Sequence, residues 1–297
     1  MPSVQERALR HVLSFPHGNV SYWEYPAETG PGAATLLMVH GFRGDHHGLE
    51  LLAAALPDFR VLVPDLPGFG ESAPFARGRH DVDGYVRFLQ DFAAAAGLGP
   101  QTLLLGHSFG SIIAARLLAA TPEAFRALVL VNPISEPALR GSRAAASRLA
   151  EAYYVLAAKL PARAGLWLLR HPLIVRAMSG MMAKTRDPGL RRFIHDQHYR
   201  YFSAFANREV VLEAFQASIS DDVGQVASRL GMPVLLIAGV KDDLGSVASQ
   251  RRMAAMIPQA RLEFIEDVGH LIHYEAPAAA ALLVAGFAAA LAGEPGA

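Results

Sequence analysis

Short runs of apolar residues recur along the chain, each closed at both ends by turn-forming residues. They occupy residues 35–39, 61–64, 102–105, 128–131, 234–238 and 262–265. Runs this short, rich in Val, Leu and Ile and without polar alternation, predict strands buried on both faces. The segments between them carry helical character over 48–56, 82–96, 111–120, 247–256 and 278–291. Strand and helix in alternation predict βαβ units and a parallel sheet with helices on both faces. Ahead of these, 8–15 and 20–25 flank His17-Gly18-Asn19, a pattern for a hairpin joined to one edge of the sheet.

The alternation stops between about 133 and 226. Four helices are expected there, over 142–159, 166–182, 190–202 and 209–218, and no strand. Strand character resumes at Met232. A helical insertion between two strands of one sheet accounts for this better than two successive domains. The expected division is a core of 1–134 and 223–297 and an inserted cap of 135–222. Residues 293–297 read as a frayed tail.

Chemistry enters at Gly106-His107-Ser108-Phe109-Gly110, which follows one apolar run and opens an apolar helix. A serine on a sharp strand-to-helix turn takes strained backbone angles, and side chains two residues either side would collide. Glycine at both places removes the collisions, and the helix N-terminus beyond favours developing negative charge. A hydroxyl is a weak nucleophile until a base takes its proton, and the base needs a third group to hold its tautomer. Asp242 and Asp243 follow the run at 234–238, and His270 follows the run at 262–265. Both loops leave the carboxyl ends of strands, where open α/β sheets build their sites. The expected triad is therefore Ser108, Asp242 and His270, with Asp243 the rival acid; Asn132 stands where an acid after the run at 128–131 would be. The expected oxyanion donors are the N–H groups of Phe109 and of Phe42, in the His40-Gly41-Phe42 loop.

These motifs, with Asp65-Leu66-Pro67-Gly68-Phe69-Gly70-Glu71-Ser72, resemble the capped α/β-hydrolase superfamily over nearly the whole chain. The resemblance implies an α/β fold with a mostly parallel eight-stranded sheet, covered by helices on both faces, and a helical lid after the sixth strand. It also implies a hydrolase. Relatives that open epoxides or remove halides carry Asp at the elbow, so Ser108 points elsewhere: to esterases first, then to amidases, lactonases, carbon–carbon bond hydrolases and cofactor-free haloperoxidases.

Composition narrows the rest. Lys plus Arg and Asp plus Glu are both 27, so no strong overall field draws the chain to nucleic acid or an anionic membrane. Cysteine is absent, which excludes disulfides, thiolate metal sites and a cysteine nucleophile. Gly68-Phe69-Gly70-Glu71-Ser72-Ala73 matches a dinucleotide pattern formally, but Pro74 and Gly78 oppose the helix it requires. The adjacent pair His46-His47 reads as loop surface, and no metal cluster or cofactor is expected. The apolar stretch 276–293 is mostly alanine and reads as a helix packed on the sheet, not a membrane span. The chain is expected to be cytoplasmic, to act on a small molecule, and to allow a homodimer.

The segment 184–208 holds Lys184, Arg186, Arg191, Arg192, Arg200 and Arg208 against Asp187, Asp196 and Glu209. A solvated helical face with i,i+4 partners explains it, and recognition of a carboxylate substrate is the sharper alternative. Arg43 and His107, beside the two oxyanion donors, are expected to touch substrate. The favoured activity is hydrolysis of a small or medium-sized carboxylic ester. Its rivals are a carbon–carbon bond hydrolase for an acidic diketone or dienone, and a ligand-binding protein on the same scaffold.

Overall fold

A computed structural model of the chain describes residues 7–30, 32–139 and 144–293. Its centre is an eight-stranded sheet. β1 (Leu9–Phe15) and β2 (Gly18–Tyr25) form the expected hairpin, and β2 joins β4 (Phe59–Pro64) antiparallel. β3 (Ala34–Val39), β4, β5 (Leu103–His107), β6 (Ala127–Val131), β7 (Val234–Gly239) and β8 (Ala260–Ile265) are parallel. The order across the sheet is β1-β2-β4-β3-β5-β6-β7-β8.

The period-two geometry of strands divides the core. Leu37 and Val39 of β3 and Leu104 of β5 point to one face; Leu36 and Met38, with Leu103 and Leu105, point to the other. On the first face lie α2 (Val82–Ala95) and α3 (Phe109–Ala120), reached through a short α1 (Glu50–Ala54) that covers the second. Helix α3 is apolar nearly all round and is buried accordingly.

Between β6 and β7 the described residues form five α-helices rather than the four expected. They are α4 (Ala144–Lys159), α5 (Ala162–Leu169), α6 (Pro172–Met182), α7 (Pro188–Tyr201) and α8 (Arg208–Ser220). The extra break divides the segment expected to be one helix over 166–182. Pro172 has no N–H to continue a helix and restricts His171, which is extended at φ −64° and ψ 123°. The first residues of the expected helix at 142–159 lie outside the described part of the chain.

After β7 come α9 (Val247–Ala254), β8, the short α10 (Ile272–Glu275) and α11 (Pro277–Gly293). Helix α11 lays Ala280, Ala281, Val284, Phe287 and Leu291 on the second sheet face, so the alanine-rich stretch packs on the sheet as expected. Among the described residues no helix is long and apolar enough to cross a membrane. Residues 294–297, read as a tail, lie outside the described part.

Candidate active site

The elbow forms at the end of β5. Ser108 has φ 52° and ψ −119°, a conformation rare for any residue but glycine. Crowding around it accounts for both flanking glycines. A Cβ on Gly106 would lie 2.4 Å from the Gly110 carbonyl oxygen, and one on Gly110 would lie 2.3 Å from the Val39 oxygen. The Ser108 N–H donates to the Val131 carbonyl at 3.1 Å, which ties the turn to the neighbouring strand. The strain is thus held by the sheet itself.

Ser108, His270 and Asp242 meet in one chain of hydrogen bonds. Ser108 Oγ lies 2.7 Å from His270 Nε2, and His270 Nδ1 lies 2.9 Å from Asp242 Oδ2. A carboxylate oxygen only accepts, so Nδ1 carries the proton and Nε2 is free to accept from the hydroxyl. The other oxygen of Asp242 accepts from the Leu244 N–H at 2.7 Å. Asp243 turns away to an ion pair with Lys184. All three members of the chain are buried.

Two further residues hold the loops that carry this acid and base. Asn132, fully buried with φ 43°, accepts from the Gly239 N–H at 2.8 Å and donates Nδ2 to the Gly269 carbonyl at 3.0 Å. It clamps the end of β7 to the loop bearing His270. Glu275 accepts from Gly269 N–H with one oxygen, and from Lys184 and Thr185 N–H with the other. Reading the chain in sequence gave no role to either.

On the opposite side lies the His40-Gly41-Phe42 turn. His40 Nδ1–H donates to the Gly41 carbonyl, and its Nε2 accepts from Leu66 N–H at 2.9 Å. Phe109 begins α3, so its N–H is one of those a helix leaves without an internal partner. Phe42 and Phe109 both border the same cavity as Ser108.

Arg43 and His107, the two residues expected to touch substrate, also border that cavity, and their donors are engaged by the protein itself. The Arg43 guanidinium, 1% exposed, donates to the Phe202 carbonyl at 3.0 Å and the Leu169 carbonyl at 2.9 Å. Its plane lies over the Phe202 ring at 4.4 Å. His107 Nε2–H donates to the His270 carbonyl at 3.2 Å. Burial, reinforced by the neighbouring His270, pushes the His107 imidazole down to about 3, so the ring is neutral.

His46 and His47 are not loop surface. A 3-10 turn over His46–Leu49 brings their rings to 3.8 Å of one another. His46 stacks on Trp23 and bonds Asp65 at 2.9 Å; His47 stacks on Tyr201 and bonds Asp45 at 3.2 Å. Ligand atoms of Asp45, His46 and His47 do fall within 4.8 Å of one another, as in a metal site. The Nδ1 atoms of the two rings are hydrogen-bonded to Asp65 and Asp45, a network that supports the turn.

The cavity above Ser108 has a volume of about 620 Å³, within the range of small-molecule sites. Its floor is the elbow and the His40-Gly41-Phe42 turn, and its roof is the helical insert. Met178, Met181 and Met182 of α6, Tyr154 of α4, and Phe215 and Ile219 of α8 make that roof largely apolar. Of the six cations noted between 184 and 208, only Lys184 borders the cavity, and it is paired with Asp243. Arg191 donates to the Thr185 carbonyl and Arg208 to the Leu160 carbonyl.

Comparison with known proteins agrees with this architecture. The family model for the alpha/beta hydrolase fold matches residues 34–277, and the chain belongs to that family. It is similar to Lipase 1 of Psychrobacter immobilis, 24% identical over 259 residues that span 84% of this chain and 75% of the relative. It is also similar to Lipase 3 of Moraxella sp. (strain TA144), 22% identical over 254 residues, 81% of this chain and 73% of the relative. The structure of an esterase from Thermogutta terrifontis superposes with a TM-score of 0.76 at 21% identity, covering 96% of this chain and 99% of that one. That likeness shows the fold.

Proposed function

We propose that this protein is a serine hydrolase that cleaves carboxylic esters with an apolar acyl group. The observation that carries the reading is the unbroken chain Asp242–His270–Ser108 at the floor of an apolar cavity. Its relatives include two proteins named as lipases, which supports ester substrates.

In this reading Ser108 Oγ attacks the ester carbonyl while His270 Nε2 takes its proton. Asp242 steadies the imidazolium that forms. The N–H groups of Phe42 and Phe109 hold the oxyanion, where preorganised donors give the largest share of rate. His270 returns the proton to the departing alkoxide, and the alcohol leaves. Water, deprotonated by His270, then attacks the acyl-enzyme and releases the acid. The acyl chain lies under the methionines of α6, whose flexible thioethers adapt to chains of different shape. His107 acts through His270, holding its backbone rather than touching substrate. The cap comprises 135–222 and shields the reacting centre from water.

A substrate carboxylate finds no unpaired cation among the described residues that line the cavity, other than Arg43, whose guanidinium is already committed to the insert. This favours a neutral ester over the acidic diketone or dienone of a carbon–carbon bond hydrolase. The test is covalent labelling. A fluorophosphonate should modify Ser108 in the folded protein, and Ser108→Ala should abolish both labelling and ester turnover, the latter by on the order of 10³-fold or more. A folded protein that resists labelling would return the ligand-binding alternative, and turnover by Ser108→Ala within tenfold of the parent would remove Ser108 from the mechanism.

A further inference from the structure

Buried and exposed positions in the first three insert helices are arranged in an unusual way. Leu149, Leu156, Trp167, Leu173 and Met181 are all well exposed, Leu149 at 75%, Leu173 at 71% and Trp167 at 64%. Among the described residues, the other large apolar side chains left exposed are scattered over β1, α7, α11 and loops. Along α6 the exposed positions are Pro172, Leu173, Arg176, Ala177, Gly180 and Met181, spaced as one helical stripe, while Val175 and Ser179 face inward. Leu149 and Leu156 lie two turns apart on one side of α4, opposite the buried Tyr154. On α5 and its C-terminal cap the exposed stripe is Arg163, Trp167 and Arg170. An apolar stripe turned outward, with a tryptophan between arginines, fits the boundary between water and hydrocarbon better than bulk water.

Charge points the same way. The chain is neutral overall, yet residues 144–182 carry Arg148, Lys159, Arg163, Arg170 and Arg176 against the single anion Glu151. Each of these five cations is exposed. A second copy docking through the same face would bring like charges together across a two-fold axis. A surface of anionic lipid head groups would instead be complementary, each nearby cation adding to the attraction. The patch is also continuous with the cavity: Met181 belongs to both, and Ala146, Ser147 and Ala150, around Leu149, line the cavity.

We propose that the outward face of α4, α5 and α6 docks on an anionic membrane surface, placing the cavity mouth at the level of the acyl chains. What the cavity then receives rests on the ester-hydrolase reading; the docking does not, and its test uses Ser108→Ala, in which turnover plays no part. The full chain carries its own reporter, since its two tryptophans are the buried Trp23 and the exposed Trp167. With vesicles of phosphatidylglycerol and phosphatidylcholine, Trp167 emission should shift to the blue and the protein should sediment with lipid. Pure phosphatidylcholine should bind at least tenfold more weakly, and raising salt toward 1 M should release the protein. A double variant, Leu156→Ser with Leu173→Ser, alters exposed positions that do not line the cavity. Made in the parent chain, it should keep its melting temperature and its hydrolysis of a short soluble ester; its vesicle binding should fall tenfold or more. Equal binding by the double variant, or no binding to anionic vesicles, would overturn the proposal. So would a concentration-dependent dimer without lipid that already shifts Trp167 to the blue, because the face would then belong to a second copy.

Discussion

Two adjacent aspartates, Asp242 and Asp243, leave β7 within one turn, and packing gives them opposite environments. Asp242 is buried against His270, while Asp243 lies half in solvent against Lys184. An exposed ion pair contributes little, about 0–1 kcal/mol. A buried carboxylate facing a histidine fixes which ring nitrogen carries the proton. Asp242→Asn should therefore keep the packing but reverse the hydrogen-bond demand at His270 Nδ1, lowering kcat by up to about 10⁴-fold. Asp243→Asn should change kcat less than about tenfold. Steady-state kinetics of the two variants on one chromogenic ester decide the matter, and the reverse ranking would move the acid to Asp243. This part of the site was legible because it depends on local order: a strand end, a loop, an acid, then a later strand end and a histidine. Asn132 was legible only as a missing acid. Its bridge from Gly239 to Gly269 joins residues far apart in sequence, and no spacing rule carries that information. His46 and His47 misled for the same reason. Neighbouring side chains usually diverge, but Trp23 from β2 and Tyr201 from α7 hold these two rings in one stack.

Helices of the insert meet the sheet through their ends as well as their faces. Leu169 is the last residue of α5 and Phe202 caps the C-terminus of α7. Carbonyls at those places have no partner within their own helix and lie at the negative end of its dipole. The Arg43 guanidinium donates to both, from a residue with φ 58° directly after the proposed oxyanion donor Phe42. A buried cation is thereby stabilised by two helix termini and by the ring of Phe202. Such a planar fork is not replaced by an ammonium. Arg43→Lys should free at least one of the two carbonyls and cost about 2 kcal/mol, from the loss of one charge-assisted hydrogen bond. The expected result is faster cleavage of the insert in limited proteolysis, with kcat/KM reduced more for a long-chain ester than for an acetate. Unchanged proteolysis together with unchanged chain-length preference would show that Arg43 does not couple the insert to the turn. The positions of the strands and most helices needed no such contact to be read, because burial on two faces writes itself into short apolar runs. The division of the second insert helix was readable too: Pro172 stood inside an apparently continuous pattern.

Several histidines are buried as neutral rings, and their sum sets how the whole molecule responds to acid. Burial, with help from nearby His270, lowers His107 to about 3; burial lowers His198 to about 4, aided by His195 and Arg43. His273 is held well below the ordinary range by burial and by His107, His198 and His270 around it. In the unfolded chain each would titrate near about 6.5. A folded value below the unfolded one means that the unfolded state binds more protons between the two values, so stability falls as pH drops through that window. The loss begins near pH 6.5, continues to about pH 4 for His198 and about pH 3 for His107, and is absent above pH 7. His47 runs the other way: burial opposes its charge, but the hydrogen bond it donates to Asp45, together with the charges of Asp45, Glu50 and Asp65, outweighs burial and raises its value. Each neutral buried ring contributes a slope of up to about 1.4 kcal/mol per pH unit. Two or three together are large against a total stability of roughly 5–15 kcal/mol. Urea midpoints should therefore hold steady from pH 8 to 7 and fall steeply between pH 6 and 4.5. His198→Gln, which keeps a polar group beside Ser179, should flatten that fall by about one proton's share. A midpoint that stays level down to pH 4.5, or an unchanged slope in His198→Gln, would show that these rings do not control acid unfolding.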